Sequence, residues 1–277
     1  MTKIQEHWEE ANRLFPPDRI VGVFCQGSQN YLLSDEHSDM DTKCIICPSF
    51  EDFVNAKEIQ KNNFTHYRAN QEHISFIDVR NFIKLLKEGM PNYLELLYTN
   101  ICIINPKYEL LWAELVNCRD KIARYNEPLA VKSMNRIIQS KTQNLQAKKT
   151  YPSRMYLMKD WEYDPKELSH ALRVLYLLKD YCDGKDFYSS LLGVKDTEKE
   201  EKEIRELIIK LKREPFLTYK EALDWGQKIA AAAQDIANRY AEQNPYWYGN
   251  KEVEKILHSV RKGMMLKGIE KEIANED

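Results

Sequence analysis

The sequence predicts an α+β chain, with a small mixed β-sheet backed by helices over residues 1–110 and an all-helical domain over residues 111–277. Three observations carry this reading. Short apolar runs of strand length, bounded by turn residues, occur only before about residue 110. Beyond it, apolar residues recur at helical spacing. The 277 residues include only nine glycines, consistent with long helices and little loop.

Length suits two packed domains or one large one. A hydrophobic share of 43% and a charged share of 30% fit a globular chain with a helix-rich surface. The formal net charge of −2 argues against a generally cationic nucleic-acid coat, although a local patch can hide inside it. The first residues, MTKIQEHWEEANRLF, are amphipathic and lack the apolar centre of a signal peptide. No run of about 18 apolar residues is present. A cytoplasmic protein without a membrane partner is therefore expected. The six cysteines (Cys25, Cys44, Cys47, Cys102, Cys118 and Cys182) sit mostly in apolar segments and do not read as a disulfide framework.

Taken in order, Ile4, Trp8, Ala11 and Leu14/Phe15 mark a first helix that Pro16-Pro17 stops. Ile20–Phe24 reads as a buried strand and Asp39–Ile46 as a second, ended by Pro48. Ser49-Phe-Glu-Asp52 opens a helix as a capping box. Phe64–Arg68 and His73–Val79 read as an antiparallel pair. Helical stretches follow at Arg80–Lys87 and Asn92–Tyr98, then a short strand at Ile101–Ile104. In the second half, Glu127–Lys149 forms a long helix. Asp164-Pro165 caps another, with Leu168, Ala171, Leu172, Leu175 and Leu178 on one face and an end at Gly184. Thr218-Tyr-Lys-Glu221 is a further capping box, with Leu217 placed to staple it, and a last helix starts near Lys251.

The stretch Gly27 to Asp41, GSQNYLLSDEHSDMD, carries the chemistry. A glycine directly after a buried strand lets the backbone turn and lets a phosphate approach. Ser28 adds a hydroxyl and opens a short helical turn whose N–H groups favour an anion. Asp39 and Asp41, one residue apart on a strand, point to one face. Their mutual repulsion is relieved by divalent cations, which also serve phosphoryl transfer. Asp78, at the end of the apolar run HISFIDV, is the candidate third carboxylate. Its rival reading is as the cap of the helix that starts near Arg80.

This order of Gly27-Ser28, ten intervening residues, Asp39-x-Asp41 and a later Asp78 resembles the DNA polymerase β-type nucleotidyltransferase superfamily. GMPNYLELLYT (Gly89–Thr99) is similar to the helix after the third carboxylate in bacterial predicted nucleotidyltransferases linked to RNA repair. SHALRVLYLL (Ser169–Leu178) is similar to a helix of their C-terminal domain. The motif resemblance covers roughly residues 20–100. It implies a nucleotidyltransferase catalytic domain over 1–110 and a helical domain over 111–277. The implied activity moves a nucleoside monophosphate from a nucleoside triphosphate to an acceptor hydroxyl, with an RNA or tRNA end favoured and pyrophosphate released. Gly27 and Ser28 would hold the triphosphate. Asp39, Asp41 and Asp78 would be catalytic and hold two Mg2+ or Mn2+ ions. A protein, a small molecule or a second nucleotide is the alternative acceptor, and a non-catalytic nucleotide- or RNA-binding module is the alternative function. Thr42 departs from the family pattern, which usually has an apolar residue there.

Other residues carry two readings each. Lys43 points with Asp39 and Asp41, as a phosphate contact or as their ion-pair partner. Tyr31 lies near the nucleotide position or packs in the core. Arg119 to Arg154 holds nine basic residues against two acids, and Lys132, Arg136, Gln139 and Gln143 share one stripe. That stripe suits a triphosphate or a nucleic-acid backbone, or is a solvated helix face. His170 and Arg173, one turn apart, are nucleotide-binding by resemblance or surface residues otherwise. Cys44 and Cys47 lack a second ligand pair and read as structural thiols. Lys195–Arg205 reads as an ion-paired helix surface. Tyr246-Trp-Tyr248 reads as a stacking platform or an aromatic plug.

Overall fold

The computed structural model describes residues 1–31, 33–34, 38–55, 63–69, 72–150, 155–192, 199–213, 216–247 and 249–274. Helix α1 (Lys3–Leu14) is followed by β1 (Ile20–Gln26), a 3-10 turn at Gly27–Gln29 and β2 (Asp41–Ile46). Then come α2 (Phe50–Val54), β3 (Phe64–Tyr67), β4 (His73–Asp78), α3 (Val79–Lys87), α4 (Pro91–Leu94) and β5 (Cys102–Ile104). Helices α5 (Glu109–Asn117), α6 (Arg119–Ala123), α7 (Glu127–Gln146), α8 (Met155–Trp161) and α9 (Pro165–Cys182) follow. The chain continues through α10 (Phe187–Leu192), α11 (Lys199–Arg213) and α12 (Tyr219–Gln243) to α13 (Lys251–Ala274). The architecture is mixed α+β, with one five-stranded sheet. None of the described helices is long and apolar enough to cross a membrane.

The chain forms two compact units. The first comprises Met1–Asn126 together with Tyr248–Asp277, and the second Glu127–Trp247. The expected boundary near residue 110 thus falls inside the first unit, and the last helix returns to it. The reason for the shift is packing: Trp112 of α5 stacks on Phe24 of β1 at 4.2 Å between ring centroids, so α5 is part of the sheet's cover.

The sheet runs β3-β4-β2-β1-β5. Strand β2 is parallel to β4, and the other pairs are antiparallel. Alternation along the strands gives the sheet two different faces. On one, Val23, Cys44, Ile46, Ile74 and Phe76 bury against Ala11, Ile4, Trp8 and Phe15 of α1 and its end. On the other, Phe24 meets Trp112, which in turn stacks on Phe82 of α3.

Helix α13 buries Val253, Leu257, Val260, Met264 and Ile269 within the first unit. Two of its glycines permit close approach. A Cβ on Gly263 would lie 2.9 Å from Leu111 Cδ2, and one on Gly268 would collide with Cys47 Cβ. The Cys47 thiol donates to the Met264 carbonyl at 3.2 Å, and the Glu272 carboxylate accepts the Phe50 N–H at 2.7 Å.

The second unit is helical throughout its described elements. Helix α9 is central, flanked by α7, α11 and α12. That surround explains why its burial is broader than the single expected stripe. Val174 and Leu177 are buried along with Leu168, Ala171, Leu172 and Leu178, while Leu175 is half-buried. The caps expected at Ser49, Asp164 and Thr218 all form, with side-chain oxygens accepting from Asp52, Lys166 and Glu221 N–H groups. Residues 195–198 of the expected ion-paired surface, and Tyr248 of the aromatic triplet, lie outside the described residues.

Replacing Gly268 with alanine tests the α13 contact. Helix propensity alone favours alanine by about 1 kcal/mol, whereas overpacking against Cys47 costs about 1–3 kcal/mol. Gly268→Ala is therefore expected to lower the thermal midpoint of the first unit, and a raised midpoint would contradict this packing.

Candidate functional site

Antiparallel pairing of β1 with β2 places Gln26 directly opposite Asp41. The turn that follows Gln26 therefore begins beside the acidic pair. Gly27 has φ +79, a conformation open mainly to glycine, while a Cβ there would meet nothing within 4 Å. The glycine is needed for its backbone angle and not, among the described residues, for close packing. The helical turn expected after Ser28 is a single 3-10 turn, Gly27–Gln29.

Asn30 ties this turn down. Its side-chain N–H donates to the Cys25 carbonyl at 2.8 Å, and its Oδ1 accepts from the Thr99 hydroxyl at 2.7 Å. Tyr31 is buried and donates its hydroxyl to Glu95, itself 2% exposed. Core packing and a hydrogen bond are thus both realised in Tyr31.

Asp39 is exposed, Met40 buried, Asp41 part-exposed and Thr42 buried. Asp41 is the first residue of β2, so the strand begins two residues later than expected and Asp39 lies just outside it, with Met40 between them turned inward. Glu72 holds the segment from the other side, where its Oε1 accepts the Met40 N–H at 3.2 Å. Glu72 is 2% exposed and also pairs with Lys3 at 3.0 Å, Arg68 at 2.8 Å and His7 at 3.1 Å. His7 Nδ1 lies 2.8 Å from the Thr42 hydroxyl. Here lies the physical reason for a polar residue at 42, since it completes a buried histidine's hydrogen bonds. Burial lowers the His7 pKa, against the opposing influence of Glu72. A neutral ring satisfies both partners, with Nε2–H donating to Glu72 and Nδ1 accepting from Thr42.

Strand pairing identifies what else faces Asp41. Gln26 lies beside it on β1 and His73 on β4, with His73 Nδ1 2.7 Å from Asp41 Oδ1. In the next row, Phe24, Lys43, Ser75 and Thr65 share that face across four strands. Lys43 is only 8% exposed. Its ammonium donates to Gln26 Oε1 and lies 5.0 Å from the centroid of the Tyr93 ring. Burial lowers its pKa, while Glu95 and Asp41 act to raise it. Lys43, Thr65, Ser75, Ile77, Asn81 and Tyr93 line a pocket of about 260 Å³.

Asp78 does not join this group. It pairs with Ile46, which puts it on the α1 face and at the far end of β2, about 16 Å along the strand from Asp41. Fully buried, it caps α3 by accepting the Arg80 N–H at 2.8 Å, and it binds the Arg80 guanidinium at 2.9 and 2.7 Å. Parallel pairing of β4 with β2 is the cause, because both strands then start at the Asp41 end. The expectation of Asp78 as catalytic group and metal ligand is corrected to helix cap and ion-pair partner.

The chain matches no protein-family model. Nor does it significantly match any curated protein.

The remaining candidates lie in the second unit. Lys132 and Arg136 are exposed on α7. Gln139 is turned into the bundle, donating to the Ala230 carbonyl at 2.9 Å. Arg173 is buried and lies 3.2 Å from His170 Nε2. The basic stretch Arg119 to Arg154 is divided by the boundary between the units. Several of its cations have internal partners: Lys121 pairs with Glu252, Lys141 with buried Glu167, Arg119 with the Tyr98 ring and Lys148 with the Tyr219 ring. Arg154 lies outside the described residues. Burial pushes the Cys25 and Cys47 thiols up to about 12, in keeping with structural thiols.

The residues near Asp41 can be tested against the ions that the family resemblance implies. Two carboxylates plus phosphate oxygens suit one magnesium ion. On this face β4 presents His73, Ser75 and Ile77, and Glu95 acts electrostatically on the neighbouring Lys43. Among the described residues no three His, Cys, Asp or Glu side chains gather as a ligand set.

Sequence reading missed Glu72, His7, His73 and Ser75. Period-two alternation around Ile74 and Phe76 was visible, but not the strand beside which it would lie. The His7 network makes a prediction about pH. The unfolded chain protonates this histidine near the ordinary value of 6.5, whereas the folded chain resists protonation. Its contribution is therefore intact above about pH 6.5 and lost as pH falls below it. His7→Gln should flatten the decline in urea midpoint between about pH 7 and about pH 5; an unchanged decline would rule out the neutral ring.

Proposed function

We propose that the chain is a nucleotidyltransferase that binds a nucleoside triphosphate at the Gly27-Ser28 turn and transfers a nucleoside monophosphate to an acceptor hydroxyl. The observation that carries this reading is the pairing of Gln26 with Asp41. It sets a positive-φ glycine turn beside Asp41 at one end of one sheet face, with Asp39 two residues before it in the chain.

Asp39 and Asp41 would hold a Mg2+ or Mn2+ ion against the phosphates. When bound, the ion offsets the charge that develops on the phosphoryl oxygens. Gly27 and Ser28 orient the triphosphate tail, and Asn30 and Tyr31 keep the turn in place. His73 steadies the Asp41 carboxylate through its Nδ1. The acceptor hydroxyl gives up its proton to solvent as its oxygen bonds to the α-phosphorus, the bond to the α–β bridging oxygen breaks, and pyrophosphate leaves. Positioning and electrostatics supply most of the acceleration in such a reaction.

An RNA or tRNA end is the acceptor this reading favours. The exposed cations Lys132 and Arg136 on α7 support it, because they suit a phosphate backbone. A second reading is a nucleotide- or RNA-binding module without catalysis. The position of Asp78 favours that alternative, since it removes the expected third carboxylate from the site.

Labelled triphosphates, Mg2+ or Mn2+ and total RNA discriminate between them. Label transfer to RNA with pyrophosphate release is expected, and Asp39→Ala with Asp41→Ala should reduce it on the order of a hundredfold or more. Nucleotide binding without pyrophosphate release would establish the module instead. Label on the protein or on a small molecule would retain the chemistry and overturn the RNA acceptor.

A further inference from the structure

The pocket of about 260 Å³ is built from two kinds of element. Thr65 on β3 and Ser75 on β4 are paired in register and supply its floor, while Asn81 of α3 and Tyr93 of α4 supply its walls. Four polar groups of this lining take part in no hydrogen bond among the described residues: the Thr65 and Ser75 hydroxyls, the Asn81 amide oxygen and the Tyr93 hydroxyl. Asn81 is held through its other end, Nδ2 donating to Asn63 Oδ1 at 3.1 Å. Burial pushes the Tyr93 pKa up, so the phenol keeps its proton. Ile77 and the Tyr93 ring add apolar surface. Lys43 borders the pocket with its ammonium bonded to Gln26 Oε1. Neutral donors and acceptors beside apolar surface suit a flat heterocycle with a hydrogen-bonding edge. The volume lies just under the roughly 300–1,000 Å³ of a drug-sized site, which is room for a base and not for a large ligand.

We propose that this pocket receives a nucleobase, with the Thr65, Ser75 and Tyr93 hydroxyls and the Asn81 amide oxygen reading its edge. The inference deepens the nucleotidyltransferase reading and rests on it. Strands β4 and β3 lie roughly 10–14 Å across the sheet from β1, where the Gly27 turn begins. One extended nucleoside triphosphate covers that span. The terminal residue of an RNA acceptor carries the same chemistry, and competition separates the two sources. The hydroxyls can each donate or accept, whereas Asn81 Oδ1 only accepts and so meets an amino or imino N–H of the base.

The test is a saturation-transfer NMR titration of the full chain with adenosine, guanosine, cytidine and uridine, with neither phosphate nor metal added. Binding of at least one nucleoside is expected. Ser75→Leu fills the floor and should weaken that binding on the order of tenfold or more, in a chain whose circular dichroism matches the parent's. Should Ser75→Leu not fold, Thr65→Trp, at an exposed position, blocks the same floor and should have the same effect. No nucleoside binding by the parent, or unchanged affinity in a folded blocking variant, would overturn the proposal. Displacement of the nucleoside by a triphosphate analogue with the same base assigns the pocket to the donor nucleotide. Displacement by a short RNA ending in that base assigns it to the acceptor, and displacement by neither overturns it. A parent that binds triphosphate but no nucleoside, with triphosphate affinity equal in the blocking variant, would overturn the pocket alone. Absence of both triphosphate and nucleoside binding would overturn the nucleotidyltransferase reading as well.

Discussion

The pairing of β2 with its two neighbours is the constraint on which the rest depends. Antiparallel to β1 and parallel to β4, it decides both the end and the face at which each polar side chain emerges. One consequence brings Gln26, the Gly27 turn, Asp41 and His73 together. The other sends Asp78 to the opposite end and opposite face, where it caps α3. A shift by one residue would exchange the two faces, turning Asp41 and Lys43 toward α1 and Cys44 and Ile46 toward the face covered by Trp112. The apolar demand of α1 therefore sets the register, and the register sets the site.

Buried charge is handled locally at each place where it occurs. Glu72 is surrounded by Lys3, Arg68, His7 and the Met40 N–H, and Asp78 by two sides of Arg80. Such networks are costly to desolvate and become strongly destabilising when one partner is lost. Their value here is geometric. Glu72 grips the backbone between the two aspartates, so this charged segment is held by its buried side. In the turn, Asn30 and Tyr31 likewise anchor the backbone from the inside.

The first unit is closed by a helix that arrives more than a hundred residues after α6. Helix α13 brings Gly268 against Cys47 and Met264 within reach of its thiol. The sheet unit thus cannot be completed until the last part of the chain is present, with the helical unit inserted between. Nothing in the periodicity of α13 distinguishes a partner in the preceding bundle from one near the N-terminus, since an apolar stripe records that a helix is covered and not what covers it.

Local signals account for most of what the sequence by itself determined. Caps at Ser49, Asp164 and Thr218, the strand before Gly27, the antiparallel pair β3–β4 and the alternation through Asp39 and Asp41 all depend on residues a few positions apart. Asp78 carried two local readings, third carboxylate or cap of the helix near Arg80. Tertiary structure alone decided between them, because strand direction and order depend on contacts between distant segments. The same holds for Thr42, whose polarity makes sense only beside His7, and for the basic stretch, whose cations find partners on helices far along the chain. Side-chain chemistry is written residue by residue, whereas the company each side chain keeps is settled by which apolar faces can be buried together.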